Sequence, residues 1–151
     1  MKSILVLCEG NHCRSPIAEA LLQAALGPEV RVASAGLNAL EGQPPDPEAM
    51  NISLQNGLDI GGHRGRQWTS DMALGADLVL VMDEGQKALC EALVPSARGR
   101  VFLLAHWLAT PPPGIPDPYL QGPEATRRAF ELIHQSVAGW LPRLKTKQRS
   151  V

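Results

Sequence analysis

"SILVLCEGNHCRSPIAEALLQAALG", residues 3–27, runs from an apolar segment into a helical pattern through a loop carrying a thiol, a glycine, an asparagine and an arginine. "SILVLC" (3–8) is a short continuous apolar run, as expected of a strand buried on both faces. "SPIAEALLQAALG" (15–27) has the punctuation of a helix: Ser15 is the expected N-cap, Pro16 suits the first helical position, and Gly27 closes it.

The same grammar recurs along the chain. "VRVASAG" (30–36), "ADLVLVM" (76–82) and "RVFLL" (100–104) read as strands. "DPEAMNISLQNG" (46–57, with Asp46 as N-cap), "DEGQKALCEAL" (83–93) and "EATRRAFELIHQSVAGWLPRL" (124–144) read as helices. "ATPPPGIPDPY" (109–119) is too rich in proline for helix or ladder, and "KTKQRSV" (145–151) reads as a frayed basic tail. The alternation predicts an α/β fold: a single doubly wound domain over 1–144, with a four-stranded parallel sheet, helices on both faces and right-handed crossovers. Such sheets bind ligands beyond the carboxyl ends of their strands. Cys8, Ser34, Asp83 and the loop with Asp117 all follow predicted strand ends, so one edge collects the unusual residues.

At 151 residues the chain can bury a core without disulfide or metal staples. Apolar residues make up 44% and charged residues 19%, the balance of a soluble globular protein. The formal net charge of -1 gives no general pull toward nucleic acid or anionic membrane, so any anion site must be local. No run approaches the ~18 apolar residues of a membrane span. "ILVLC" after Met1-Lys2-Ser3 is too short for a secretory signal and has no cleavage site, so the cytoplasm is expected. Three cysteines, Cys8, Cys13 and Cys90, do not make a secreted disulfide framework.

A loop joining a strand to a helix N-terminus presents free N–H groups and the positive end of a dipole, a ready anion site. Gly10 and Asn11 are residue types that tolerate left-handed backbone, which a tight cradle needs. Arg14 adds a planar fork matching two phosphate oxygens. The same field would favour the thiolate form at Cys8. Nucleophile and oxyanion cradle thus come from one segment. An ATP-type glycine loop is a poor fit, because Gly-Lys-Ser/Thr is missing. A zinc site on Cys8, His12 and Cys13 stays open by residue type, although no second Cys/His pair follows.

With "CEGNHCRSP" as a phosphate loop between strand 1 and helix 1, the sequence resembles the bacterial low-molecular-weight protein tyrosine phosphatases over nearly its whole length. "SAGL" (34–37), "GHRGRQ" (62–67), "MD" (82–83) and "IPDPY" (115–119) resemble that family's later blocks in order and spacing. The resemblance implies Cys8 as nucleophile, Arg14 and the loop 9–15 (Glu9, Gly10, Asn11, His12, Cys13 and Ser15 among them) as the phosphate cradle, and Asp117 as general acid and base. Ser15 would stabilise the leaving thiolate. Asn11, Ser34 and His63 would prop the loop open, and Leu40 and Tyr119 would wall the substrate ring. By themselves Ser34 reads as a turn residue, His63 as a surface histidine and Asp117 as a turn aspartate. No metal and no cofactor are implied. The implied partner is a phosphotyrosine protein, such as a bacterial tyrosine autokinase of exopolysaccharide production. Neither nucleic acid nor membrane insertion is implied, and the chain is expected to be a monomer or weak dimer.

Glu9 stands where the family usually has an apolar residue, and His12 where it usually has isoleucine. Glu9 at the pocket rim would repel acidic substrates, and His12 would hydrogen-bond in the loop. Cys13 is spaced to form a reversible disulfide with Cys8, a pairing the resemblance implies. Two rivals remain on the sequence: an arsenate reductase of the same fold, which needs two further cysteines where only Cys90 is found, and a phosphopeptide-binding or redox-sensing module without turnover, which has no need of Cys8 and Asp117 together.

Overall fold

Each of the four apolar runs forms a strand: β1 (Ser3–Cys8), β2 (Arg31–Gly36), β3 (Leu78–Val81) and β4 (Val101–Leu103). They build one all-parallel sheet in the order β2-β1-β3-β4 in the computed structural model, which describes residues 1–109 and 114–149. The expected α/β fold with a four-stranded parallel sheet is therefore observed. The strand order reverses between β1 and β3, which makes the crevice beyond the end of β1 the topological switch point. Cys8 closes β1 there, in register with Gly36 at the end of β2.

Among the described residues five α-helices cover the sheet: α1 (Arg14–Leu26), α2 (Pro47–Gln55), α3 (Ser70–Leu74), α4 (Glu84–Leu93) and α5 (Pro123–Arg149). Successive strand residues point to opposite faces, so β1 feeds two cores. Ile4, Val6 and Cys8 join Ile17 and Leu22 of α1, Ile52 of α2 and Ile133 of α5. Leu5 and Leu7 join Ala73 of α3 and Cys90 of α4. Burying each such aliphatic side chain contributes about 1.5–3 kcal/mol. The continuous apolar character of β1 is the price of having both faces covered. Trp140 of α5 donates its indole N–H to the Leu104 carbonyl at 2.8 Å, which fixes that helix to the turn after β4.

Several boundaries differ from the sequence expectation. Ser15 is not the N-cap of α1: the cap is Cys13, no side chain caps the helix, and Arg14 is already helical. The Ser15 hydroxyl is engaged with Cys8 and Asn11 instead. Asp46 does cap α2, accepting from the Ala49 amide at 3.0 Å, and Asp83 caps α4, accepting from the Gln86 amide at 2.8 Å. The short α3 has no apolar periodicity to announce it. Helix α5 continues past the expected end at Leu144 to Arg149, because four of the five residues that follow are good helix formers and neither Gly nor Pro interrupts them. Residues 110–113 of the proline-rich loop and 150–151 of the basic tail lie outside the described residues. Where the chain resumes, the Ile115 amide donates to the Met82 carbonyl at 2.9 Å, tying the loop to the end of β3.

Candidate active site

The loop after β1 is shaped by where its carbonyls go. Those of Cys8, Glu9 and Gly10 accept from the amides of Leu37, Asn38 and Leu40 at 3.0, 2.8 and 3.0 Å. Those of Asn11 and His12 accept from His63 Nε2 at 3.1 Å and the Asp46 amide at 2.9 Å. Every carbonyl of the turn is thus drawn outward. No backbone amide from Gly10 to Ser15 donates to a protein acceptor among the described residues. Those free donors at the start of α1 form a concave anion cradle. Asn11 takes the left-handed conformation the turn needs, with φ 52°, whereas Gly10, expected to share it, does not. Gly36 permits the close packing of this loop on β2, since a Cβ there would lie 2.8 Å from the Asn11 nitrogen.

Asn11 is also the hub of the side-chain network. Its Oδ1 accepts from the Arg66 amide at 2.9 Å, a bond that fixes the orientation of the carboxamide. Its Nδ2 therefore donates to Ser15 Oγ at 2.8 Å and Ser34 Oγ at 2.9 Å. With both oxygens accepting, each hydroxyl proton is free to go onward. That of Ser34 reaches Glu19 Oε1 at 2.5 Å, and that of Ser15 faces Cys8 Sγ at 2.9 Å. Glu19 Oε1 also lies 4.0 Å from His63 Nδ1. Asn11, Ser15, Ser34 and His63 are thus brought together beside Cys8. Glu19, Arg66 and Gly36 complete the network and were missed. Glu19 carries a readable sign only in hindsight, standing one turn beyond Ser15 on the helix that opens at the loop.

Arg14 is 3% exposed. Its Nη1 donates to the Ile115 carbonyl at 2.8 Å and its Nη2 lies 3.5 Å from Asp117 Oδ2. Ile115 thus links the end of β3, the guanidinium and the aspartate loop. The other Asp117 oxygen accepts from the Tyr119 amide at 3.1 Å. Cys8, Arg14 and Asp117 line one cleft, with Leu40 and Tyr119 at its mouth, 40% and 47% exposed. His12 stands edge-on to the Tyr119 ring at 5.7 Å and 3.9 Å from Asp46 Oδ1. Glu9 reaches the rim, where its carboxylate accepts from Asn38 Nδ2 at 2.5 Å.

Cys13 is a buried free thiol beneath the loop, and burial, with Asp46 and Cys8 adding to it, pushes its ionisation far above the ordinary thiol range. Cys90 is also a free thiol raised by burial, and it lies in the core on the opposite face of the sheet from Cys8. Among the described residues no group of three or more His, Cys, Asp or Glu side chains is placed to hold a metal ion, and no helix is long and apolar enough to cross a membrane. An inward amide cradle, a guanidinium, a thiol with a hydroxyl partner and a carboxylate across the cleft can together bind a tetrahedral oxyanion and move a proton to a group leaving it.

The model of the family described as low molecular weight phosphotyrosine protein phosphatase matches residues 3–150. The chain is 43% identical over 145 residues to the probable low molecular weight protein-tyrosine-phosphatase EpsP of Ralstonia nicotianae, covering 96% of this chain and 97% of that one. Among solved structures it resembles the tyrosine phosphatase Wzb from Escherichia coli K30 in complex with sulphate, at 40% identity and a TM-score of 0.89, covering 95% and 98% of the two chains. It also resembles the YwlE arginine phosphatase from Geobacillus stearothermophilus, at 31% identity and a TM-score of 0.89, covering 98% and 96%.

Proposed function

The chain belongs to the low molecular weight phosphotyrosine protein phosphatase family, and from that premise we propose that it hydrolyses phosphotyrosine in proteins through a phosphocysteine intermediate on Cys8. The observation that carries this reading is the convergence of Cys8, Arg14 and Asp117 on one cleft whose floor is the amide cradle.

In the first step the Cys8 thiolate attacks phosphorus in line, the S–P bond forms as the bond to the phenolic oxygen breaks, and Asp117 gives its proton to the departing phenolate. Arg14 and the amides of residues 9–15 hold the equatorial oxygens as charge redistributes. In the second step Asp117 takes a proton from water, the water oxygen attacks phosphorus, and the thiolate leaves. The Ser15 hydroxyl, 2.9 Å from the sulfur, donates to it as it regains its charge. Leu40 and Tyr119 flank the aromatic ring. The protein partner is a tyrosine autokinase of exopolysaccharide production, met in the cytoplasm.

A phosphoarginine substrate is the competing reading, supported by the likeness to an arginine phosphatase. The apolar and aromatic walls at the cleft mouth favour a flat ring. The test is phosphate release from p-nitrophenyl phosphate with EDTA present, comparing wild type, Cys8→Ser and Asp117→Asn, with free phosphoarginine as second substrate. Cys8→Ser is expected to be dead and Asp117→Asn to lose about 10²–10⁴-fold. An enzyme inert toward the aryl phosphate while reduced, or one that prefers phosphoarginine, overturns the reading.

A further inference from the structure

We infer that the groove alongside the catalytic cleft receives a basic side chain adjacent to the phosphotyrosine of the protein substrate, an inference that rests on the phosphotyrosine reading above. The groove is an open depression between the N-terminal end of α4 and the Gly114–Asp117 segment. It shares Glu9, Arg14 and Asp117 with the catalytic cleft. A peptide whose phosphoryl group lies on the loop therefore leads over Glu9 into it.

Two independent features give the groove its chemistry. The first is Gln86, only 7% exposed, whose Oε1 accepts from the Met82 amide at 2.8 Å. Its Nε2 has no partner among the described residues, so a nearly buried side chain in the groove lining has two donors to offer a peptide carbonyl. The second is charge. Asp83 uses Oδ1 to cap α4 and keeps Oδ2 free. The Glu9 carboxylate is held in place by Asn38, so ordering it costs little on binding. Arg14 is already engaged with Ile115 and Asp117, and Lys87 on the same helix is paired with Glu91 at 2.8 Å. The helix end offsets part of the Asp83 charge, which leaves Glu9 the larger share. The groove thus offers carboxylates to a cation and a donor to the backbone that carries it.

The experiment uses phosphotyrosine peptides identical except for Lys, Ala or Asp immediately before or immediately after the phosphotyrosine, with p-nitrophenyl phosphate alongside. At one of the two positions, wild type is expected to favour Lys over Asp by about tenfold in kcat/KM at low salt, with the ratio shrinking at high salt. In the Glu9→Gln/Asp83→Asn double variant the ratio should fall to about threefold or less. Both peptides meet the same enzyme, so losses of folding or of catalysis cancel in the ratio. Gln86→Leu should lower kcat/KM for the peptides more than for p-nitrophenyl phosphate. A wild-type ratio near one, a preference for Asp, or a ratio unchanged in the double variant overturns the inference. An enzyme that hydrolyses the aryl phosphate without the ratio sinks this inference alone, whereas one inert on every substrate sinks the phosphatase reading with it.

Discussion

Replacing Gly36 by alanine tests whether the cradle depends on its seat against β2. A Cβ at Gly36 would stand 2.8 Å from the Asn11 nitrogen, 2.9 Å from the Glu9 carbonyl oxygen and 2.9 Å from the Gly10 carbonyl carbon. All three are backbone atoms, so no flexible side-chain end can move aside. The β2 side cannot retreat either, because the Gly36 amide donates to Arg66 and its carbonyl accepts from Trp68, both at 2.8 Å. Ordinary carbon contacts lie at ~3.5–4.0 Å, so the loop must shift by roughly 0.7 Å or more. Overpacking of this kind costs about 1–3 kcal/mol of stability. The effect on rate should be larger, since a misplacement of about 1 Å in a preorganised site can cost 10²-fold. We expect kcat/KM for p-nitrophenyl phosphate to fall about 30–300-fold, with competitive inhibition by inorganic phosphate weakened in parallel and the urea midpoint lowered. Gly62→Ala is the control, with open space around its Cβ position, and should leave all three readouts unchanged. A Gly36→Ala enzyme within threefold of wild type, with phosphate inhibition intact, would refute the claim that the loop is preset by its contact with β2.

Asn11→Ala removes two donated bonds and one accepted bond from the hub and leaves the Arg66 amide without its acceptor. It should cost about 2–4 kcal/mol in urea unfolding and at least tenfold in kcat/KM, and a fully active variant would show that the network does not set the loop. Asp77 supplies a pH prediction: the Lys2 amide at 2.7 Å, with the Ser3 amide at 3.1 Å, holds its carboxyl below the ordinary carboxylate range. A depressed folded pKa contributes stability that is present above the unfolded pKa and lost as pH falls through the folded value. The wild-type advantage over Asp77→Asn in urea midpoint should therefore hold at pH 7 and shrink steadily below about pH 4. An advantage equally large at both ends would mean that the charge of Asp77 contributes nothing.

What could be read from the sequence was what the chain encodes locally. β1, the cradle and α1 are contiguous, so the apolar run, Asn11 and the Cys8-to-Arg14 spacing lie within one window. Even there local grammar misled at one residue. A serine before a proline reads as an N-cap, yet the helix already begins at Arg14, so Ser15 lies inside it and its hydroxyl meets Cys8 and Asn11 instead. The missed residues act across the chain. Arg66 meets Asn11 from 55 residues away, and the Ile115 carbonyl meets Arg14 from 101. Gly36 matters for the atoms that crowd it, which composition cannot express. Glu19 looks like any solvent-facing helical glutamate until the fold sets Ser34 and His63 beside it. The residues proposed to meet phosphorus are thus legible by type and spacing, whereas those that aim them become visible only when the sheet brings β2, the Arg66 segment and the Ile115 loop to the same edge. A substitution among the second group should therefore disturb geometry before chemistry, weakening phosphate binding and turnover together, whereas Asp117→Asn should spare phosphate binding while turnover falls.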